Sequence, residues 1–375
     1  MPALDPLPAV RVRAFEVVTV TLPLKMPMTT AAGRHDHRDV LLVHVEADEA
    51  EGWAECAVEP DPTYSPEFAA AARLVLLDHL LPRAAAGGSA GDAATLGEAL
   101  RVVRGHEAAR AAVELAVLDA QLRAAHRSLA DWLGATATAV PAGAALGLHD
   151  AVDDLLAEAD DALRAGAARL RVKVAPGRAA GPLQALRAHV GDGVPLQADA
   201  NGSFSLDDPE LRALDDAGLA CLEQPLDPTD LLGHARLADA LATPICLDEP
   251  LTSLGAVEAA VALGACEVVC LKPARVGGWR QARAVHDRCV QLGVPVWVGG
   301  MLETGVGRAA NLAVAALPGM ALAPDLDPRG RYDPDLAALR VPVDGAVAVP
   351  DGPGTGATPD AGLLAAAEVV RVLVP

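Results

Sequence analysis

Aromatic residues are scarce. Trp, Tyr and Phe make up 2% of the 375 residues, which leaves alanine, glycine, valine and leucine to build the interior. Positive charge is also short, with 30 Lys+Arg against 50 Asp+Glu and a formal charge of −20. That field repels phosphates, which excludes nucleic acid and an anionic membrane surface as partners. An anionic small substrate would need a local site of Lys, Arg or a metal ion. The six cysteines, at 56, 221, 246, 266, 270 and 289, include no CxxC pair. They exclude a disulfide frame or zinc site and read as small buried hydrophobes in a reducing compartment. The opening MPALDPLPAV has no basic segment ahead of an apolar one, so no signal peptide is expected. The longest uncharged runs, 132–148 and 309–324, hold proline and glycine and barely reach spanning length. These exclusions leave a soluble, cytoplasmic α/β protein, with an apolar fraction of 52% that is ample for a sizeable core.

Three textures follow one another along the chain. RVRAFEVVTVTLPL, VLLVHVEA and GWAEC alternate with period two and predict a small antiparallel sheet. Residues 67–81 and 107–125 carry helical spacing, and 84–92 (AAAGGSAGD) reads as a flexible connector. From about residue 140, short apolar runs alternate with amphipathic stretches: 169–174, 194–201, 219–225, 243–249, 266–273 and 294–300. With AGAALGL near Ala142 and a mild run at 320–323, they make eight parallel β/α units. The predicted architecture is α/β: a (β/α)8 (TIM-type) barrel over 136–335 behind an α+β capping domain at 1–135. The tail, 336–375, returns to that cap through a strand expected at 339–349.

The chemistry lies in what ends each run. Lys173, Asp199, Glu223, Asp248 and Lys272 follow at separations of 26, 24, 25 and 24 residues, one β/α unit each. In a barrel all C-terminal strand ends open on one face, so these five groups converge on one cavity. Three adjacent carboxylates make a hard oxygen pocket suited to Mg²⁺, with Mn²⁺ able to substitute. Asn201 and Glu249 stand beside two of them as supporting polar groups. A lysine near a cation and partly desolvated is expected to have a lowered pKa and to act as a base. A lone acid or lysine at a strand end is ordinarily a cap or a solvated group; five in phase are not. His149 and His286 read as structural, and Gly299–Gly300 as turn chemistry rather than a phosphate site.

These residues resemble the enolase superfamily, in its muconate-lactonizing subgroup and its o-succinylbenzoate synthase / N-succinylamino acid racemase branch. The resemblance runs over nearly the whole chain, through GWAEC, TYSPEF, RVKVAPG, QADAN, LEQPL, TPICLDE, LKPARVGG, VPVWVGGMLETGVGRAANLA and GPGTGATPD. It implies Lys173 and Lys272 as the catalytic pair, Asp199, Glu223 and Asp248 as magnesium ligands, and Asn201 and Glu249 around them. It also implies mobile cap loops, here about 26–38 and 58–64, that carry Tyr64 and read the distal end of a small carboxylate substrate. Gly300, Met301, Glu303 and Arg308 belong to the seventh-strand motif near the site, and a homo-oligomer is expected.

Four positions depart from the pattern. Arg171 replaces the first lysine of K-x-K and keeps a positive neighbour for Lys173. Ala145 stands where serine is common and removes a hydroxyl that could touch substrate. The first cap loop, MTTAAGRHDH, lacks the usual aromatic, and Asp327 replaces a serine after strand eight. The implied reaction is dehydration of 2-succinyl-6-hydroxy-2,4-cyclohexadiene-1-carboxylate in menaquinone biosynthesis, with N-succinylamino acid racemization as a side activity. Arg275, three residues past Lys272, would tune that lysine for racemization. A dedicated N-acylamino acid racemase is the alternative. Dipeptide epimerase and cycloisomerase activities stand further off, and a non-catalytic barrel scaffold is the rival from another class.

Overall fold

The computed structural model describes residues 4–31, 33–88, 90–339 and 345–375. Seven parallel strands run in sequence order: Gly143–Leu146, Arg169–Lys173, Leu196–Asp199, Cys221–Glu223, Ile245–Leu247, Val268–Leu271 and Val296–Val298. Their near-continuous apolar runs suit strands covered on both faces. Helices such as Val152–Arg164, Trp279–Leu292 and Gly305–Ala315 wrap the outside. Local chemistry sets the helix ends: Ser253 accepts from the Ala256 amide to start one, and left-handed Gly293 ends another. Low in the barrel, Cys221, Cys246, Cys270 and Trp297 pack as one cluster, and all six cysteines are free and buried. Among the described residues no helix is long and apolar enough to cross a membrane.

The eighth run at 320–323 does not become a strand. Closure is instead a single bridge between Gly143 and Asp325, with the Gly143 amide donating to Pro324 at 2.8 Å. Pro318, Gly319 and Pro324 crowd this segment, and prolines supply no ladder donors.

The cap is an antiparallel sheet in the order Glu368–Leu373, Val10–Thr30, Gly33–Ala47, Glu51–Cys56. The helix Glu107–Ala124 lies so close to the last of these that a Cβ on Gly52 would sit 2.0 Å from the Ala116 carbonyl oxygen. Three expectations need correction. The returning tail strand is Glu368–Leu373, pairing Ala14 with Leu373, whereas Ala346–Ala348 pairs with Ala139–Pro141 and residues 340–344 lie outside the described set. Segment 67–81 breaks into Ala69–Val75, a wide turn at Leu76–Leu80 and Leu81–Ala86, so the connector starts later. Glu67 is excluded from that helix because its carboxylate accepts from the Ala108 and Ala109 amides, both at 2.9 Å. Finally, the loop expected at 26–38 is a hairpin paired out to Thr30 and Gly33. An irregularity between Pro23 and Met28 absorbs the register change there.

Candidate active site

Register brings the chemistry together. Lys173, Asp199 and Glu223 are direct neighbours across three consecutive strands, and Ala145 is paired with Arg171 on the first two. Asp248 and Lys272 follow the ends of the fifth and sixth strands. Asp199, Glu223 and Asp248 are fully buried, a position that charged carboxylates hold only when paired.

Cations meet these acids from both sides. On one side Lys173 Nζ donates to Asp199 at 2.6 Å and to the Asn201 amide oxygen at 2.7 Å. The Asn201 amide nitrogen continues to Glu249 at 3.2 Å. Arg171 donates to Asp199 at 2.6 Å and to Glu223 at 3.0 Å, and its second nitrogen reaches Asp325 at 2.6 Å. On the other side Lys272 Nζ donates to Asp248 at 2.9 Å and to the Tyr64 hydroxyl at 2.5 Å. Arg275 bonds both Asp248 and Tyr64.

The charge balance is uneven. Burial pushes Glu223 up to about 7 although Arg171 opposes the shift, and burial beside Asp248 pushes Glu249 up to about 8. Burial also works against ionisation of Asp248, but Arg275 and Lys272 outweigh it and hold its pKa below the usual range. Lys272 is also displaced from its ordinary value. Burial lowers its pKa, but Asp248 more than reverses this and holds the ammonium well above the ordinary lysine value.

The site has the donors for a hard divalent cation. Three buried carboxylates offer only oxygen, Glu249 Oε2 has no hydrogen-bond partner, and burial disfavours the charged forms of Glu223 and Glu249, which a nearby cation would favour. Glu223, Asp248 and Cys270 also lie with ligand atoms within 4.8 Å of one another. The thiol is buried, and burial raises its pKa.

A cavity opens between the cap and the barrel mouth, lined by Tyr64, Ala145, Lys173, Asn201, Lys272 and Gly300. Met301 lines it too, and its carbonyl accepts from Arg38 at 2.7 Å. Glu303 does not line this cavity. It accepts from the Met301 amide at 2.7 Å and from Asn311 at 2.9 Å, bracing the turn. Arg308 is buried against the Leu326 carbonyl. His149 bonds Glu158 at 2.7 Å and His286 the Pro318 carbonyl at 3.0 Å, both away from the cavity. Sequence reasoning missed Asp325, although it lies about one β/α unit beyond Gly299. Arg38 and His35, inside what read as a loop, were missed as well.

Comparison with known proteins agrees along the chain. Residues 12–134 match the mandelate racemase / muconate lactonizing enzyme N-terminal domain, and 154–363 the enolase C-terminal domain-like family. An N-succinylamino acid racemase of Amycolatopsis sp is 41% identical over 97% of this chain and 99% of its own length. An o-succinylbenzoate synthase of Geobacillus kaustophilus is 38% identical over 89% of this chain and 90% of its own. A solved enolase superfamily structure from Listeria innocua superposes with a TM-score of 0.91 at 32% identity, covering 98% of this chain and 100% of that one. With cap, barrel and converging strand ends all matched, the chain belongs to the mandelate racemase / muconate lactonizing enzyme family of the enolase superfamily.

Proposed function

We propose that the protein is a Mg²⁺-dependent o-succinylbenzoate synthase acting in menaquinone biosynthesis. The observation that carries this reading is the pair of lysines at the second and sixth units of one barrel mouth, with three buried carboxylates between them. Asp199, Glu223 and Asp248 would hold a divalent ion, which would supply positive charge against the substrate carboxylate and lower the cost of losing the α-proton.

The chain's own groups do the rest. In an eight-fold ring, units two and six stand opposite, so Lys173 and Lys272 approach a bound molecule from different faces. Lys173, as the free amine, takes the α-proton from the ring carbon that bears the carboxylate. The same ammonium then returns that proton to the hydroxyl group as the carbon–oxygen bond breaks, releasing water and leaving an aromatic ring. Lys272 stays protonated, held by Asp248 and Tyr64. The hairpin and Tyr64 roof the cavity and limit water.

Racemization of N-succinylamino acids is the second reading, favoured by the Arg275 contact with the same carboxylate and hydroxyl that hold Lys272. It would require both lysines to exchange protons with Cα. The deciding experiment is turnover of 2-succinyl-6-hydroxy-2,4-cyclohexadiene-1-carboxylate by purified protein, followed by loss of diene absorbance. Fast, EDTA-sensitive turnover supports the synthase. No turnover above the uncatalysed rate, together with deuterium exchange at Cα of N-succinylamino acids, would move the assignment to a racemase.

A further inference from the structure

The roof of the cavity comes from the hairpin, and its inner face has a distinct composition. Met28 and His35 are cross-strand partners, and Thr30 pairs with Gly33 one step further. Cross-strand partners share a face, and Met28, Thr30 and His35 all line the cavity that holds the two lysines. Arg34 and Asp36, at the alternate positions, are exposed and pair with each other at 3.0 Å. The hairpin therefore turns an apolar rim with one imidazole toward the substrate and keeps its ion pair outside.

That imidazole differs from the lysines and the arginine around the cavity. Arg171 is taken by Asp199, Glu223 and Asp325, Lys173 by Asp199, and Lys272 by Asp248. Among the described residues Glu59 is the one carboxylate lining this cavity, and it is tied to Arg38 at 3.5 Å. Among the described residues, nothing hydrogen-bonds or ion-pairs with the His35 side chain. The deep end of the cavity thus carries the two lysines, and the outer end presents one uncommitted donor.

We infer that His35 is the residue that recognises the second, distal carboxylate of the substrate. This rests on the reading above, because both the cyclohexadiene and N-succinylamino acid substrates carry a succinyl carboxylate remote from the reacting one. A substrate lying between the lysines with its tail toward the hairpin places that anion under His35, with Met28 beside its methylenes. A hydrogen bond from the ring N–H to that carboxylate selects dicarboxylates over N-acetyl analogues in a protein whose net field of −20 opposes a second anion.

The test is calorimetric binding of N-succinylglycine and N-acetylglycine to the Mg²⁺-loaded protein. Wild type should bind the succinyl compound at least about tenfold more tightly. His35→Gln should shrink that ratio and His35→Glu should bring it near one or below, with N-acetylglycine affinity moving by less than about threefold. Arg34→Gln removes a positive charge from the outer face of the same strand and should leave the ratio in place. No preference in wild type, or an undiminished preference in His35→Glu, overturns the inference. Turnover is scored separately. If the synthase and racemase reactions are both absent while His35→Glu still abolishes the succinyl preference, the proposed function fails and the role of His35 stands.

Discussion

Tyr64 of the capping domain donates its hydroxyl to Asp248 of the barrel across 2.6 Å. The same oxygen accepts from Lys272 and Arg275, and both cations also lie over the phenol ring, at 4.9 and 5.0 Å from its centroid. One phenol thus joins the cap to a candidate metal ligand and a candidate acid–base group. Tyr64→Phe keeps the ring and removes the oxygen. It should lower kcat/KM by about ten- to a hundredfold, as expected for losing bonds to charged partners, with Tm nearly unchanged. Steady-state kinetics beside a melting curve checks this.

The two lysines should separate the reactions. Lys173→Ala should cost dehydration at least about 10³-fold, because it removes both the proton acceptor and the donor to the leaving hydroxyl. Lys272→Ala should stop deuterium incorporation at Cα from one enantiomer of an N-succinylamino acid while leaving slow exchange from the other. NMR in D₂O reads this directly.

Metal removal should be reversible and visible without catalysis. Dialysis against EDTA should abolish turnover, and added Mg²⁺ should restore it. Since the three acids converge only in the folded chain, saturating Mg²⁺ should also raise Tm. Glu223→Gln should need a higher Mg²⁺ concentration for the same Tm shift.

Glu114 sets a pH dependence away from the site. It lies buried on the helix Glu107–Ala124, with Oε1 unpartnered and Oε2 facing Gly97 and Gly278. Burial pushes its carboxyl up to about 8, against the weaker pull of Arg280, Arg110 and Arg101. The folded state therefore holds this proton more tightly than the unfolded chain, whose value is ordinary. Its contribution is neutral below the unfolded value, turns increasingly unfavourable as pH rises toward 8, and then levels off. Glu114→Gln should match wild type near pH 4.5 and be more stable by roughly 1–3 kcal/mol at pH 9, read from denaturant midpoints.

Packing in the cap gives a prediction of the opposite sign. A methyl on Gly52 would meet the Ala116 carbonyl at 2.0 Å and the Ala120 amide at 2.6 Å, both main-chain atoms of one helix. Gly52→Ala should destabilise the protein by about 3 kcal/mol or more, measured by chemical denaturation.

The strand-end groups were readable because barrel geometry repeats: a residue type recurring once per β/α unit needs no knowledge of distant contacts. Lys173 and Asp199 are neighbours in space for the same reason that they lie 26 residues apart. The hairpin over the mouth was not readable. Pro23, Pro27 and Gly33 break the local strand pattern, and pairing resumes only because the two strands register outside that break. Tyr64 was placed near substrate by motif, but its bond to Asp248 depends on how the cap sits on the barrel. The partners of Glu303, Met301 and Asn311, lie within its own turn and following helix, and the motif alone does not show that bracing role. The eighth run was only mildly apolar, and its flanking prolines argue against a strand there.

The pairing of Ala14 with Leu373 has a bearing on how the protein is made. One edge of the strand Val10–Thr30 stays bare on the ribosome until almost the entire polypeptide has emerged, while the parallel strands between can already assemble in order. An aborted product lacking Glu368–Leu373 would carry that naked β-edge permanently, inviting a similar segment from another nascent molecule to dock there.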